Sequence, residues 1–513
     1  MSSTGGRFDL VAMSVAAGLT LTACASSALA QSSHGVTIVV GEEPDDMDPC
    51  SQSSSFTGRV ILQNVVETLA ELRPDGSLKP RLATDWEQTD PLTWRFKIRD
   101  GVSFHDGARL NADTVIRALE RVTGATFNCA VRNKYFNGVK VAGRKVDDYT
   151  VEFTTEKPWP IMPLTMSGLP IASPNTPMDK LQVAAVGTGP YVFDHWNLQH
   201  EIVLKKNPAY WNKSRKFEVE LARYIVRKDS PARASLVATG EADLAPSVAA
   251  GDADNPKLDV AHLNAQTTWL RIDVTQPPLD DRRVRQALNY AIDRKALAGR
   301  YFARGSTPAT QAWGPNVQGH NFEIDKRVWP YDPAKARQLL AEAKAAGTRV
   351  DAEIELQGRI AAYDKSEDMM EAVAQYYKAV GFNVKLKMYE LAQWRKLHNK
   401  PFPEPRLPAL LQVLHENATG DAEVTALGKH ACEASTGTLC DRAMDRMIEA
   451  AAQLKGEQRA AAFQEVARAS YEVYVDNVYL VHMVGFARVG TRIKYAPNVL
   501  TAGMLKIEDI TFN

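Results

Sequence analysis

The stretch "RVDAEIELQGRIAAYDKSEDMMEAVAQYYKAVGFNVKLKMYE", Arg349 to Glu390, changes its apolar period twice and so decides the fold class. Val350, Ala352, Ile354 and Leu356 alternate, as on a strand. Met369, Met370, Val373 and Val380 instead recur at helical spacing, and Gly381 ends the run. Phe382, Val384, Leu386 and Met388 then alternate again. A strand, helix, strand passage of this kind normally joins parallel strands, so the C-terminal half is predicted to contain an α/β lobe.

The same two periods extend in both directions. "GVTIVVG", Gly35 to Gly41, reads as a short buried strand, and "GRVILQNVVETLAEL" as a helix or a helix-to-strand passage. In "TWRFKIRDGVSFHDG", Trp94, Phe96 and Ile98 share a face, and Val102 and Phe104 resume the alternation after Asp100-Gly101, which predicts a hairpin. Asn111 is a candidate N-cap for a helix whose inner stripe is Val115, Ala118, Leu119 and Val122. Val284, Ala287, Leu288, Ala291 and Ile292 make a second stripe. Asp332, Pro333 and Gly347 bracket a third helix. Further helices are expected from Asp441 to Leu454 and Glu457 to Tyr474, before a strand at "VYLVHMV". There is no internal repeat and no low-complexity linker.

A chain of 513 residues exceeds one core, so two or three domains are expected. Lys plus Arg balances Asp plus Glu at 61 each, which gives no electrostatic reason to propose nucleic acid or an anionic membrane as partner. Arg7, an apolar run from Leu10 to Leu21 and the small residues ending "ALAQ" read as a secretory signal peptide. Two processing sites compete: Ala28-Leu29-Ala30 before Gln31, and the lipobox-like Leu21-Thr22-Ala23-Cys24, which would leave a lipidated Cys24. No later stretch reaches the roughly 18 apolar residues of a membrane span.

Four further cysteines form an even set for an oxidising compartment. Proximity in sequence pairs Cys432 with Cys440 and Cys50 with Cys129, one of three possible connectivities. Tight C-x-x-C metal-ligand pairs are absent, so no metal site is expected from the cysteines. "GTGPY", Gly187 to Tyr191, lacks the third glycine and the helix signal of a dinucleotide loop, and reads as a structural turn. His105-Asp106 in "FHDG" is explained by an Asp-Gly turn. No H-E-x-x-H or G-x-S-x-G motif occurs, which leaves no hydrolase arrangement and no catalytic residue to name.

The blocks "LKPRLATDWEQTDPLTWRFKIRDGVSFHDG", "VGTGPYVFDHWNLQHEIVLKKNPAYW", "DDRRVRQALNYAIDRKAL" and "YDPAKARQLLAEA" closely resemble segments of the extracytoplasmic solute-binding proteins of ABC importers, in particular the dipeptide and oligopeptide-binding class, family 5. The resemblance runs from Val36 to the C-terminus. It implies an α/β, two-lobed periplasmic-binding-protein fold of class II type, with an extra α+β subdomain inserted in lobe I. By analogy, lobe I comprises residues 31–70, 187–276 and 486–513, the extra subdomain 71–186, and lobe II 277–485, after a signal peptide at 1–30. The implied function is a periplasmic receptor that closes on a small organic solute and delivers it to ABC permease subunits in the inner membrane. It would act as a monomer, without cofactor, nucleic acid or catalysis. An exported binding protein used for signalling or chaperoning, or an exported hydrolase, is the alternative.

The resemblance also directs attention to particular side chains. Relatives carry an Arg and a Tyr in a "QRPY" segment that contacts the peptide, the Arg pairing its carboxylate. Arg359 and Tyr363 in "LQGRIAAYDK" match them with longer spacing, at the C-terminal end of a strand. Relatives also carry W-x-x-D, whose Asp holds the ligand's ammonium. Here Leu414 replaces the Trp and Asn417 the Asp, with Gly420-Asp421-Ala422 one residue late, so the anchor is expected to be missing unless His415, Glu416 or Asp421 replaces it. The ligand is therefore expected to be a modified peptide, an amino-acid conjugate, a sugar or a metal chelate. Trp269 and Trp394 are candidate cleft walls, placed on lobe I and lobe II respectively by the division above.

Overall fold

The computed structural model describes residues 34–51, 56–73, 76–136, 138–417, 419–497 and 505–513. The expected signal peptide and Cys24 lie outside them. The period switch at 349–390 becomes a strand at Ile354–Arg359, a helix at Ser366–Val380 and a strand at Val384–Tyr389. The two strands pair in parallel, Ile354 with Val384 through Arg359 with Tyr389. Gly381 ends the helix at φ +104°, a left-handed conformation that costs glycine little. The inner helix face, Met369, Met370, Val373 and Tyr377, is fully buried under the sheet.

This unit is one end of an 11-stranded sheet. From that end the order is Val384–Tyr389, Ile354–Arg359, Ala409–Glu416, Asp259–Ile272, Asn477–Val489, Leu244–Val248, Gly35–Val40, Leu221–Val226, Glu201–Lys206 and Tyr191–Asn197. Thr307–Pro308 pairs to the side of Asn477–Val489. The two longest strands, Asp259–Ile272 and Asn477–Val489, run through the middle and belong to both halves. Their pairing slips between Leu263 and Thr267, where Ala265 is held at φ +58°. Apolar clusters cover each half separately: Ile38, Tyr191 and Tyr224 on one, and Leu356, Met370, Leu410 and Leu480 on the other.

A separate four-stranded antiparallel sheet, in the order Ala83–Asp90, Thr93–Ile98, Thr150–Thr155 and Val141–Asp147, packs with the Ala112–Thr123 helix. Asn111 caps that helix reciprocally with Thr114. The hairpin expected at Asp100-Gly101 is not formed. Thr93–Ile98 turns back on Ala83–Asp90 instead, through a tight turn in which the Asp90 carboxylate accepts from the Leu92 amide at 2.9 Å. Val102 and Phe104 still bury their side chains, because burial requires only their face and not a strand ladder.

"GTGPY" and "FHDG" meet one another. The His105 amide donates to the Gly187 carbonyl (2.9 Å), and its ring lies 3.0 Å from the Gly189 carbonyl. A Cβ at Gly187 would collide with the Val65 carbonyl, so this position needs glycine for close approach of two chain segments. Cys50 joins Cys129 and Cys432 joins Cys440, spanning 79 and 8 residues of sequence.

Candidate functional site

The strands Ile354–Arg359 and Ala409–Glu416 are parallel, so their C-terminal ends open on the same edge, where open α/β sheets hold ligands. Gln412, fully buried on the second strand, organises that edge. Its side-chain oxygen accepts from the Arg359 amide (2.8 Å), its amide nitrogen donates to the Tyr363 hydroxyl (3.2 Å), and its carbonyl accepts from the Trp394 indole N–H (3.0 Å). Sequence reasoning missed Gln412, since a glutamine within an apolar strand carries no motif. The buried polar group in "LLQVL" was its only signal.

Arg359, Tyr363 and Trp394 are thus brought together. The Arg359 guanidinium donates to the Ala362 carbonyl (2.8 Å) and lies 5.6 Å from the centre of the Trp394 ring. His398 also stacks on that ring, at 4.4 Å. Tyr363 packs against Phe302, and burial pushes its phenol well above the usual range. Trp269 stands elsewhere: at 2% exposure it packs in the same cluster as Trp394, beyond the strand slip, edge-on to His415 at 5.8 Å. It therefore does not face Trp394 from an opposite lobe. The Asp259–Ile272 strand has already crossed into the half it shares with Ala409–Glu416 by residue 267.

The loop "LHENATGDA" is built around itself. Asn417, 2% exposed, donates from Nδ2 to the Asp421 carbonyl and to Thr425 Oγ1, each at 2.8 Å. Its Oδ1 accepts from the Gly420 amide (3.0 Å) and the Thr419 hydroxyl (3.2 Å). Two donors and two lone pairs exhaust a carboxamide. Asp421 is fully buried, caps the Ala422–Lys429 helix and takes two 2.8 Å bonds from Arg459. Neither residue presents a free polar atom to a ligand, because the turn and the buried arginine consume them.

The other substitutes for an ammonium anchor are likewise committed. His415 bonds Thr425 Oγ1 at 2.8 Å. Burial, then the charge of Lys429, holds its pKa well below the ordinary histidine value, so the ring is neutral. Glu416 pairs with Arg59 at 2.9 Å and Lys134 at 3.5 Å. Burial opposes its charge, but the two cations outweigh burial and keep the carboxyl below its usual range.

What surrounds this edge is positive. Lys429 contacts Thr436 Oγ1 (3.0 Å) and His398 (3.5 Å) and forms no ion pair among the described residues. Burial, with Arg271 nearby, brings it down to about 7. Arg271 spends its donors on the carbonyls of Leu397, His398 and Thr436. Lys134 is brought down to about 8 by burial and Arg59. Burial, then Lys429 and Arg271, keeps His398 neutral. Arg59, Lys134, Arg271, Arg359 and Lys429 thus share the region with Glu416, which two of them already neutralise, and with Asp273, which favours the charge on Arg271.

A family model for the middle region of bacterial extracellular solute-binding proteins, family 5, matches residues 77–403. The glutathione-binding protein GsiB of Salmonella typhi is 33% identical over 340 residues, covering 64% of this chain and 64% of that protein. The matched region is therefore less than two thirds of the relative's length. Among solved structures, the periplasmic binding protein DppA of Helicobacter pylori, in complex with the peptide STSA, superposes with a TM-score of 0.75 at 20% identity, covering 93% of this chain and 98% of the other. CtaP, an ABC transporter substrate-binding protein of Listeria monocytogenes, superposes with a TM-score of 0.78 at 20% identity, with coverage of 93% and 99%. The likeness shows the periplasmic-binding-protein fold, and no helix of the described residues is long and apolar enough to cross a membrane. With the family model matching well over half of its length, the chain belongs to the bacterial extracellular solute-binding proteins of family 5.

Proposed function

We propose that the protein is the periplasmic receptor of an ABC importer, exported by its N-terminal signal, and that it captures a small organic anion bearing carboxylates at both ends, as glutathione does. One observation carries the ligand class: Arg359 and Lys429 lie near the strand edge with no ion pair among the described residues, while Glu416 is already paired. Half-buried cations without counter-ions are costly, and an anionic ligand relieves that cost. The glutathione-binding relative supports the same class. Arg359 offers the planar fork that suits a carboxylate, and Tyr363 and Trp394 flank it as an apolar and hydrogen-bonding wall.

The reading is one of binding and release rather than turnover. The chain acts as a monomer and hands its cargo to the permease, whose recognition depends on the closed state. The strand slip around Ala265 supplies the hinge, so lobe II begins nearer residue 267 than 277. Isothermal titration with glutathione, a neutral dipeptide and a dipeptide blocked at its C-terminus tests the ligand class. Glutathione is expected to bind, with the blocked peptide failing. Tighter binding of the blocked or neutral peptide overturns the anion reading. Mass spectrometry of molecules released on denaturation then identifies the natural cargo.

A further inference from the structure

On the half of the sheet that carries Ala409–Glu416, but in a cluster separate from the cationic edge, His320, Asp325 and His482 bring three ligand-type atoms within 4.8 Å of one another. Among the described residues this is the one group in which three such atoms converge. His482 lies on the long Asn477–Val489 strand, 4% exposed, with Nδ1 at 2.9 Å from the Thr267 hydroxyl. Its Nε2 is buried and has no hydrogen-bond partner among the described residues. A buried ring nitrogen left unpaired calls for a physical reason.

His320 supplies a second oddity. Its Nδ1 lies 3.0 Å from the Trp313 carbonyl, which can only accept, so that nitrogen carries the hydrogen. Nε2 then directs its lone pair toward Asp325 Oδ2 at 2.7 Å, another acceptor, with the Gln311 amide nitrogen at 3.3 Å. Something positive must sit between the two acceptors, either a second proton on the ring or a cation. The other carboxylate oxygen, Oδ1, is fixed by the Thr310 hydroxyl and lies 3.4 Å from Gln311 Nε2.

We propose that His320 Nε2, Asp325 and His482 Nε2 form a divalent transition-metal site of the zinc class. Two imidazoles and a carboxylate suit Zn²⁺, with water in the fourth position and ligand bonds of about 2.0–2.2 Å. Both rings have Nδ1 tied to an oxygen of the fold, and the carboxylate is tied by Thr310, which is how metal-binding imidazoles and carboxylates are usually oriented. The Asp325 side chain remains 30% exposed and gives the ion a route from solvent. Through His482 and Thr267 the ion braces the 310–325 segment against the central strand, next to the slip at Ala265.

The test uses the exported protein, purified without a histidine tag, stripped with chelator and dialysed against micromolar Zn²⁺. Elemental mass spectrometry is expected to find one zinc per chain, and Zn²⁺ is expected to raise the melting temperature reversibly. His482→Gln and Asp325→Asn should each weaken binding at least tenfold, with circular dichroism unchanged. His195→Ala, at a half-buried histidine beside Asp194 and Glu201, should leave it unchanged. Should His482→Gln fail to fold, Asp325→Asn decides. Absence of stoichiometric zinc in the unaltered protein, or equal binding by the Asp325 variant, overturns the site.

Discussion

Glu423 shares Arg459 with Asp421 in the interior, and burial, with Asp421 adding to it, pushes its carboxyl up to about 7 against the pull of the arginine. A carboxyl that holds its proton more tightly folded than unfolded favours the fold below about pH 4.3, its unfolded value, and forfeits that contribution as pH rises through 7. Glu423→Gln is therefore expected to melt about 1–3 °C higher at pH 8 and unchanged near pH 4.5. A lower melting temperature at pH 8 would show that the second charge on Arg459 is needed. Lys429 carries the opposite test. With Lys429 near 7 and Lys134 near 8 in the empty protein, a bound carboxylate raises both. Binding then takes up protons at pH 8, and affinity falls as pH rises from 7 to 9. Calorimetry in buffers of different ionisation enthalpy reads this directly. Lys429→Met should bind glutathione about 10- to 150-fold more weakly, the loss of about 1.5–3 kcal/mol expected for a charge-assisted bond, and should lose most of the proton uptake. Identical heats in both buffers would remove Lys429 from the site.

Elements were legible from sequence where one periodicity ran unopposed. The 349–390 unit, the helices capped by Asn111 and Asp332, the helix carrying the Val284 to Ile292 stripe and the Asn477–Val489 strand follow from spacing and caps. The Asp100-Gly101 hairpin was misread because alternation states which side chains are buried and not which backbone pairs with which. The two disulfides act on elements of different reach. Closing about 79 residues restrains the unfolded chain by about 4.5 kcal/mol and closing about 8 by about 2.5, on the chain-entropy account. Replacing Cys50 and Cys129 together by serine should therefore lower the midpoint of denaturant unfolding clearly more than replacing Cys432 and Cys440. Equal effects would place the stabilisation in the local packing of each bridge.

At the scale of the molecule, polar contacts among the described residues tie the region of the four-stranded sheet to the half carrying Ala409–Glu416. Glu416 joins Lys134 and, on the Phe56–Leu62 helix, Arg59, while Lys455 bonds Gln88 and lies 5.5 Å from the Trp94 ring. These contacts bridge the two regions and oppose their separation, at the modest energy of pairs that keep some access to solvent. Glu416→Ala combined with Lys455→Ala should shift the empty protein toward an open form, read as a larger radius of gyration by small-angle scattering, with glutathione restoring the compact value. Superimposable curves for variant and parent would mean that packing rather than charge sets the closure.

The sequence by itself determined the family, the α/β character and the caps at Asn111 and Asp332, because each rests on residues close together in the chain or on blocks in a recognisable order, whereas the structure chose the cysteine pairing among three connectivities. The sequence could not decide what Asn417 and Asp421 do. Their partners, Thr425 and Arg459, are 8 and 38 residues away, and only the folded loop shows their hydrogen bonds spent internally. The cationic edge was equally hidden: Arg59, Lys134, Arg271, Arg359 and Lys429 are scattered through a chain of zero net charge. Charge balance is a sum over the whole surface, whereas the field at a binding site depends on which few charges the fold brings within reach of one another.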